Sequence, residues 1–264
     1  MLLMKLEAWL FWVIGLTVST IAGAALVKKY RDTYGYPALV AIYSAFILVS
    51  NMLASRLVVY DLFGISVVTA GATLIFPFVA QVVDMINEVY GRRATYIAIL
   101  ITLIVNIVAS ILVWHVAYEK PALDAMGLPP GRAEVYEEAW RFYMLQAPRV
   151  VAASYVAFWV ANTVDAKIFA DLKKYFYAKY REAYRDLKVI TTFVLIRSVA
   201  SDLANMVVDS LVFFPLAFSF TVPWEVLPGV VLGGTYVKVV VILITQPFLI
   251  GYRLLIRDVP RVVD

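Results

Sequence analysis

Cysteine is absent from the 264 residues and histidine occurs once, as His115. The first absence excludes disulfides, thiolate metal sites and cysteine nucleophiles. The second leaves no pair of imidazoles for a metal, and His115, near the end of an apolar run, reads as an interfacial side chain. Charge is scarce as well: 16% of residues are Asp, Glu, Lys or Arg, against about 25% in a soluble domain. A chain 63% hydrophobic with so few polar groups has an outer surface that faces lipid. A phosphate-cradling loop is also missing. Gly233 and Gly234 sit in an apolar run with no Lys-Ser/Thr after them, which argues against ATP hydrolysis by this chain.

What is present is a series of runs long enough to cross ~30 Å of hydrocarbon at roughly 20 residues each. Seven are expected, at about 8–27, 38–60, 65–88, 94–117, 149–170, 190–216 and 227–252. The first is too long for a signal-peptide core and is followed by "KKYR", so it reads as an uncleaved helix. Fifteen Lys and Arg residues fall on one side, from Lys28 to Arg261, and five on the other, Lys5, Lys120, Arg132, Arg141 and Arg149. The basic side is cytoplasmic by the positive-inside rule, which places the amino terminus outside and the carboxyl terminus in the cytoplasm of a multi-pass cell-membrane protein. The net charge of +4 then follows from cytoplasmic loops and gives no reason to expect a nucleic-acid partner.

Two connections are long. In 118–148, "AEVYEEAWRFYMLQ" forms a short amphipathic helix for the outer interface, with Trp140, Tyr143 and Met144 opposite Glu137, Glu138 and Arg141. In 171–188, basic residues flank Tyr177, Tyr180 and Tyr184 on a helix suited to the anionic inner leaflet rather than to RNA.

An internal repeat is visible. "SNMLASRLV" resembles "ANTVDAKIF", with Asn51 and Arg56 spaced like Asn162 and Lys167. One span later, Pro77, Gln81, Asp84 and Glu88 share the spacing of Ser198, Asp202, Asn205 and Asp209. Repeats three spans apart enter the membrane from opposite sides, a pattern of secondary transporters with midplane substrate sites. The expected fold is therefore an all-α integral membrane protein of seven transmembrane helices. One extra amino-terminal helix and its loop (1–37) precede two inverted three-helix repeats, 38–117 and 149–252, joined by the extracytoplasmic segment 118–148. Pro77 is expected to bend span three near its middle.

An acid at the centre of a membrane helix costs ~2.5–3.5 kcal/mol. Asp84, Glu88, Asp165, Asp202 and Asp209 therefore pair with cations such as Arg56, Arg149, Arg197 and Lys238 or line a wet cavity. Structural ion pairs within the bundle are the alternative to a substrate cavity. Desolvation favours the protonated form of such an acid, so proton uptake during substrate movement would couple import to the proton gradient.

The string "FPFVAQVVDMINEVYGRRA" resembles the signature helix of the queuosine precursor transporters. "APRVVAASYVAF", "DAKIFADLK", "RSVASDLANMVVDSLVFFPLAF" and "YVKVVVILITQP" are similar to later helices of that family, in order, over about 38–252. Asp202 departs from the small hydroxyl residue expected there, and the first helix lies outside the family's core of six. The resemblance implies import of 7-deazaguanine precursors, chiefly 7-cyano-7-deazaguanine, with no cofactor and no metal. The candidate substrate-binding residues are Asn51, Gln81, Asp84, Asn87, Glu88, Asn162, Asp165, Arg197, Asn205, Asp209 and Lys238. The chemistry suits them: a carboxylate accepts the paired N1–H and amino donors of a guanine-like edge. One or two of Phe76, Phe78, Tyr155, Phe158, Trp159, Phe213 and Phe214 would stack on the ring. Expected partners are the small-molecule substrate and the bilayer, and a homodimer is compatible with the sequence. Two rival readings stay open: a substrate-binding subunit of an ATP-driven vitamin transporter, and an intramembrane enzyme.

Overall fold

A computed structural model describes residues 2–127, 129, 131–179, 187–219, 221–256 and 259. The chain divides into two compact units. Unit 1 comprises Met1–Arg56, Gly71–Pro148 and Val240–Asp264, and unit 2 comprises Leu57–Ala70 and Arg149–Val239. The helices are α1 (Leu2–Tyr30), α2 (Tyr36–Ala54), α3 (Phe76–Tyr118), α4 (Arg132–Met144), α5 (Ala147–Lys179), α6 (Leu187–Phe218) and α7 (Leu227–Leu255). Between α2 and α3 lie two strands, β1 (Leu57–Leu62) and β2 (Ile65–Ala70). Among the described residues, four stretches are long and apolar enough to cross a membrane: Trp9–Ala54, Arg93–Tyr118, Arg132–Ala161 and Leu227–Leu255. Within α6 the apolar helix Leu203–Phe218 is shorter.

Unit 1 is built on reversals of direction. Trp12, Thr20 and Gly23 of α1 meet Leu74, Gln81 and Met85 in that order, so α1 runs parallel to the first part of α3. Along α2, Tyr36 meets Tyr90 and Phe46 meets Phe78, an antiparallel pairing. Tyr36, Ser44 and Asn51 also meet Ala94, Thr102 and Asn106, so α2 runs parallel to the second part. Helix α3 therefore folds back on itself. The reversal sits at Gly91, whose φ of 80° and ψ of 174° belong to a region that only glycine adopts without strain. The arginines that follow the polar end of span three are thus the far side of a tight helix–helix turn. Lys28, Lys29, Arg31 and Arg253 belong to this end, where the Tyr90 hydroxyl donates to the Arg31 carbonyl at 3.0 Å.

The core of this unit joins α1, α2, α3 and the end of α7 through Val27, Leu39, Tyr43, Met85, Ile86, Val89, Tyr252 and Ile256. Polar contacts run through it as well. The Ser44 and Thr102 hydroxyls bond at 2.8 Å, Asn51 donates to the Asn106 side chain at 2.9 Å, and Asn106 donates to the Thr102 carbonyl at 2.9 Å. Interhelical bonds of this kind in membranes contribute ~0.6 kcal/mol each on average. Helix α4 packs at the opposite end from Gly91, with Tyr143 donating to the Met52 carbonyl and Arg141 lying 5.1 Å from the Tyr118 ring. The short helix expected in this segment is thus present, as Arg132–Met144.

Three expectations are corrected. Span two ends at Ala54, so Arg56 is outside the helix rather than inside it. The run from Leu57 to Ala70 is an antiparallel hairpin, which adds a two-stranded sheet to a fold expected to be all helical. Its register pairs Leu57 with Ala70 and Leu62 with Ile65. Six of the fourteen residues are β-branched, and Phe63-Gly64 closes the run with φ of 51° and 81°, the two positive values of a tight hairpin turn. Third, Pro77 lies in the first turn of α3, where a missing N–H costs nothing, and so bends no helix. Pro77 cannot donate to the Leu74 carbonyl, and the Phe78 amide bonds Ile75 instead. The Trp12 indole of α1 donates to that Leu74 carbonyl at 2.7 Å, so α1 is integral to unit 1. The second half of the basic tyrosine-rich segment, 180–186, lies outside the described residues.

Gly91→Ala should lower stability by about 1–3 kcal/mol. Thermal unfolding in detergent, monitored by tryptophan fluorescence, should show a reduced midpoint, and an unchanged midpoint would refute the turn assignment.

Candidate functional site

In unit 2, α6 and α7 meet through a glycine. A Cβ on Gly234 would run into the Phe214 ring and come within 2.8 Å of the Thr69 hydroxyl, so only glycine lets α7 approach this closely. One turn further, Lys238 faces the same way. Its ammonium donates to the Asp209 carboxylate, with side chains 5% and 13% exposed. On α6, Asp209 and Phe213 are one turn apart, as are Ser210 and Phe214. The Lys238 Nζ lies 5.7 Å from the Phe213 ring centre and 5.2 Å from that of Phe214. Those two rings meet edge to face at 5.2 Å, and Phe214 stacks on Phe218 at 6.1 Å.

The energetics explain the company these charges keep. A lone buried ion costs several kcal/mol even after relaxation, and lipid offers it no relief. The carboxylate neutralises the ammonium, and ring faces add ~0.5–2 kcal/mol of cation–π attraction. The arrangement places a two-oxygen acceptor, a movable donor and flat aromatic faces at one point. It lies about 17 Å along α7 from Leu227, at ~1.5 Å per residue, in a helix about 43 Å long. Ser210, fully buried, sits beside Asp209 with a hydroxyl that has no partner among the described residues.

The other expected site residues are distributed. Asn205, one turn before Asp209, is half-buried. In unit 1, Gln81 is buried and donates to the Thr20 hydroxyl, while its Oε1 has no partner among the described residues. Asp84 and Asn87 are exposed. Glu88 is paired with Arg253 at 3.4 Å near the Gly91 turn. Positions 77, 81, 84 and 88 thus do not share one environment: Pro77 and Gln81 are buried, and the acids lie further along. Asn51 is buried and bonded to Asn106. The side chains of Asn162, Asp165 and Arg197 lie outside the described residues, as does that of Asp202. Arg149 reaches the Thr221 hydroxyl at 3.4 Å, and His115 pairs with Glu119 at 3.4 Å on an exposed surface. Of the aromatic candidates, Trp159 is 77% exposed and Phe78 packs against Trp12 and Phe46. Sequence reasoning did not single out Ser210, Thr69, Gly234 or Asn106. Gly234 was visible as half of a glycine pair, but small residues at a helix contact declare their role only when the opposing ring is known.

Several helices long and apolar enough to cross a membrane, and a buried ion pair between α6 and α7, mark a polytopic helical membrane protein. The profile of the family described as "Putative vitamin uptake transporter" matches residues 70–252. The chain belongs to that family, whose members are described as transporters of vitamin-like solutes. No curated protein and no solved structure matches it.

Lys238→Met leaves a buried carboxylate alone and should cost about 3–5 kcal/mol. Adding Asp209→Asn should recover most of that loss, as read by detergent melting of both variants. Equal destabilisation in the single and double variants would refute the pairing.

Proposed function

We propose that this chain imports a 7-deazapurine nucleobase, 7-cyano-7-deazaguanine before others, and that the Asp209–Lys238 pair against Phe213 and Phe214 recognises it. Family membership supports transport of a vitamin-like solute. The observation that carries the substrate reading is the buried carboxylate–ammonium pair held against two aromatic faces. A guanine-like edge offers N1–H and an amine side by side, and a carboxylate accepts both. The O6 atom takes a donor, which Lys238 supplies, and the ring takes an aromatic face. In the conformation described, Lys238 occupies both the carboxylate and the ring faces. Binding therefore exchanges the ammonium for the base, and release restores the ion pair.

Asn205, one turn from Asp209, is the proposed amide partner of the heterocycle. Gln81, Asp84, Asn87, Glu88, Asn51, Asn162, Asp165 and Arg197 remain proposed contributors along the route. The proposed orientation has the amino terminus outside and the carboxyl terminus in the cytoplasm, from the distribution of Lys and Arg.

Purified protein in proteoliposomes should accumulate 7-cyano-7-deazaguanine without any partner subunit. Asp209→Asn should weaken apparent affinity by roughly 10- to 100-fold, the loss of a charged hydrogen-bond pair of about 1.5–3 kcal/mol. Uptake with unchanged affinity in that variant overturns the recognition role, and a requirement for an ATP-hydrolysing partner overturns autonomous transport. With proton coupling, an uncoupler should abolish accumulation against a gradient. Uptake that ignores both an imposed pH gradient and an uncoupler excludes that coupling.

A further inference from the structure

Ser210 is fully buried in α6, and its hydroxyl bonds nothing among the described residues. Other helical hydroxyls of this chain behave differently. Thr20 turns back onto the Leu16 carbonyl at 2.7 Å, Thr95 onto Gly91 at 3.1 Å, Thr163 onto Trp159 at 2.8 Å and Thr235 onto Val231 at 2.8 Å. Such a bond to the carbonyl four residues earlier satisfies a hydroxyl locally. For Ser210 the matching acceptor is the Met206 carbonyl, and no such bond forms. A buried hydroxyl without a partner gives up its bonds to water and regains none. Groups left in that state are rare in folded proteins and call for a reason.

Helix geometry fixes what the hydroxyl faces. Ser210 and Phe214 form one row of α6, and Asp209 and Phe213 form the next. Phe214 is the ring against which Gly234 of α7 fits, so the row that begins with Ser210 faces α7. Its other neighbours on that face, Met206 and Ala217, are buried and apolar. Asp209 meets Lys238 while Phe214 meets Gly234, so the two helices run antiparallel. One turn back from Phe214, to Ser210, therefore corresponds to one turn forward from Gly234, to Lys238. The serine and the lysine are level. The ammonium lies 5.7 Å from the Phe213 ring centre and 5.2 Å from that of Phe214, which puts it between the two rows. Asp209 is the polar head of the first row, and Ser210 is that of the second.

The exchange proposed above takes the carboxylate away from Lys238 while a base is bound. A buried ammonium then needs other acceptors. The O6 atom of the base is one. A serine oxygen carries two lone pairs, and in the resting state nothing draws on those of Ser210. We infer that Ser210 is the acceptor to which the Lys238 ammonium moves when a ligand occupies the Asp209 carboxylate. The four-carbon lysine stem permits the movement. The hydroxyl is unbonded in the conformation described because its partner is on Asp209. Ser210 is thus a positioning residue, which acts on the solute by holding Lys238 where it donates to O6. The inference rests on the exchange reading and deepens it by naming where the ammonium goes.

Ser210→Ala removes one oxygen from a packed site and, on this account, breaks no bond of the resting protein. Its melting midpoint in detergent should equal or exceed that of the wild type. Asp209→Asn withdraws the carboxylate and sends the ammonium to Ser210. Adding Ser210→Ala to Asp209→Asn should then lower the midpoint by roughly 3–10 °C, the effect of one charged hydrogen bond in a chain of this size. Equal cost in both backgrounds, or no cost in either, would overturn the inference. Melting needs no substrate. Ser210→Ala should also weaken binding of 7-cyano-7-deazaguanine to the purified protein by about 10-fold, and affinity equal to that of a wild type that binds the base would overturn it as well. A wild type that binds no base, with the melting series as expected, defeats only the substrate reading.

Discussion

Hydrocarbon supplies no hydrogen bonds, and every polar atom placed within it must find its partner in the protein or in trapped water. The pairings in this chain follow from that constraint. The carbonyl that Pro77 cannot satisfy is met by the Trp12 indole. The amide and hydroxyl groups between α2 and α3 close on one another as Asn51–Asn106 and Ser44–Thr102. Lys238 and Asp209 close on each other beneath two phenylalanine rings. The first two groups of contacts fix helices in place. The third differs because a charged pair has an alternative partner whenever a ligand presents complementary donors and acceptors.

That difference is the ground on which we propose the ion pair for transport. Buried ion pairs contribute little net stability compared with well-packed apolar residues, so a structural role alone gives weak reason to place one in the membrane. A binding site needs a group whose desolvation has already been met and whose partner can leave. On the reading proposed above, the Asp209 carboxylate meets both conditions, and the ammonium returns when the ligand departs.

Much of this was legible beforehand. Apolar runs located the helices, the break between the expected spans 65–88 and 94–117 fell on the reversal at Gly91, and Asp209 and Lys238, now seen paired, were both visible as charges within spans. What escaped detection shares one cause. The run 57–70 is mostly apolar, broken only by Asp61, Gly64, Ser66 and Thr69, and shows no clean alternation by which to separate strand from helix. Its β-branched content and the Phe63-Gly64 step were the available signals. Pro77 was placed mid-helix because the helix was begun too early. Asn106 gave no sign of being the partner of Asn51, since partners across two helices are fixed by packing. Gly234 needed the Phe214 ring to explain it. Spacing along one helix was legible, and contact between helices was not.

The central claim is that the Asp209 carboxylate exchanges the Lys238 ammonium for a planar base. Infrared difference spectra recorded on adding 7-cyano-7-deazaguanine to purified protein test it most directly, with Asp209→Asn as the reference. The account predicts a shift of carboxylate bands in the wild type that disappears in the variant. Spectra in which the base binds and the same carboxylate bands persist in the variant, or never move in the wild type, would contradict it.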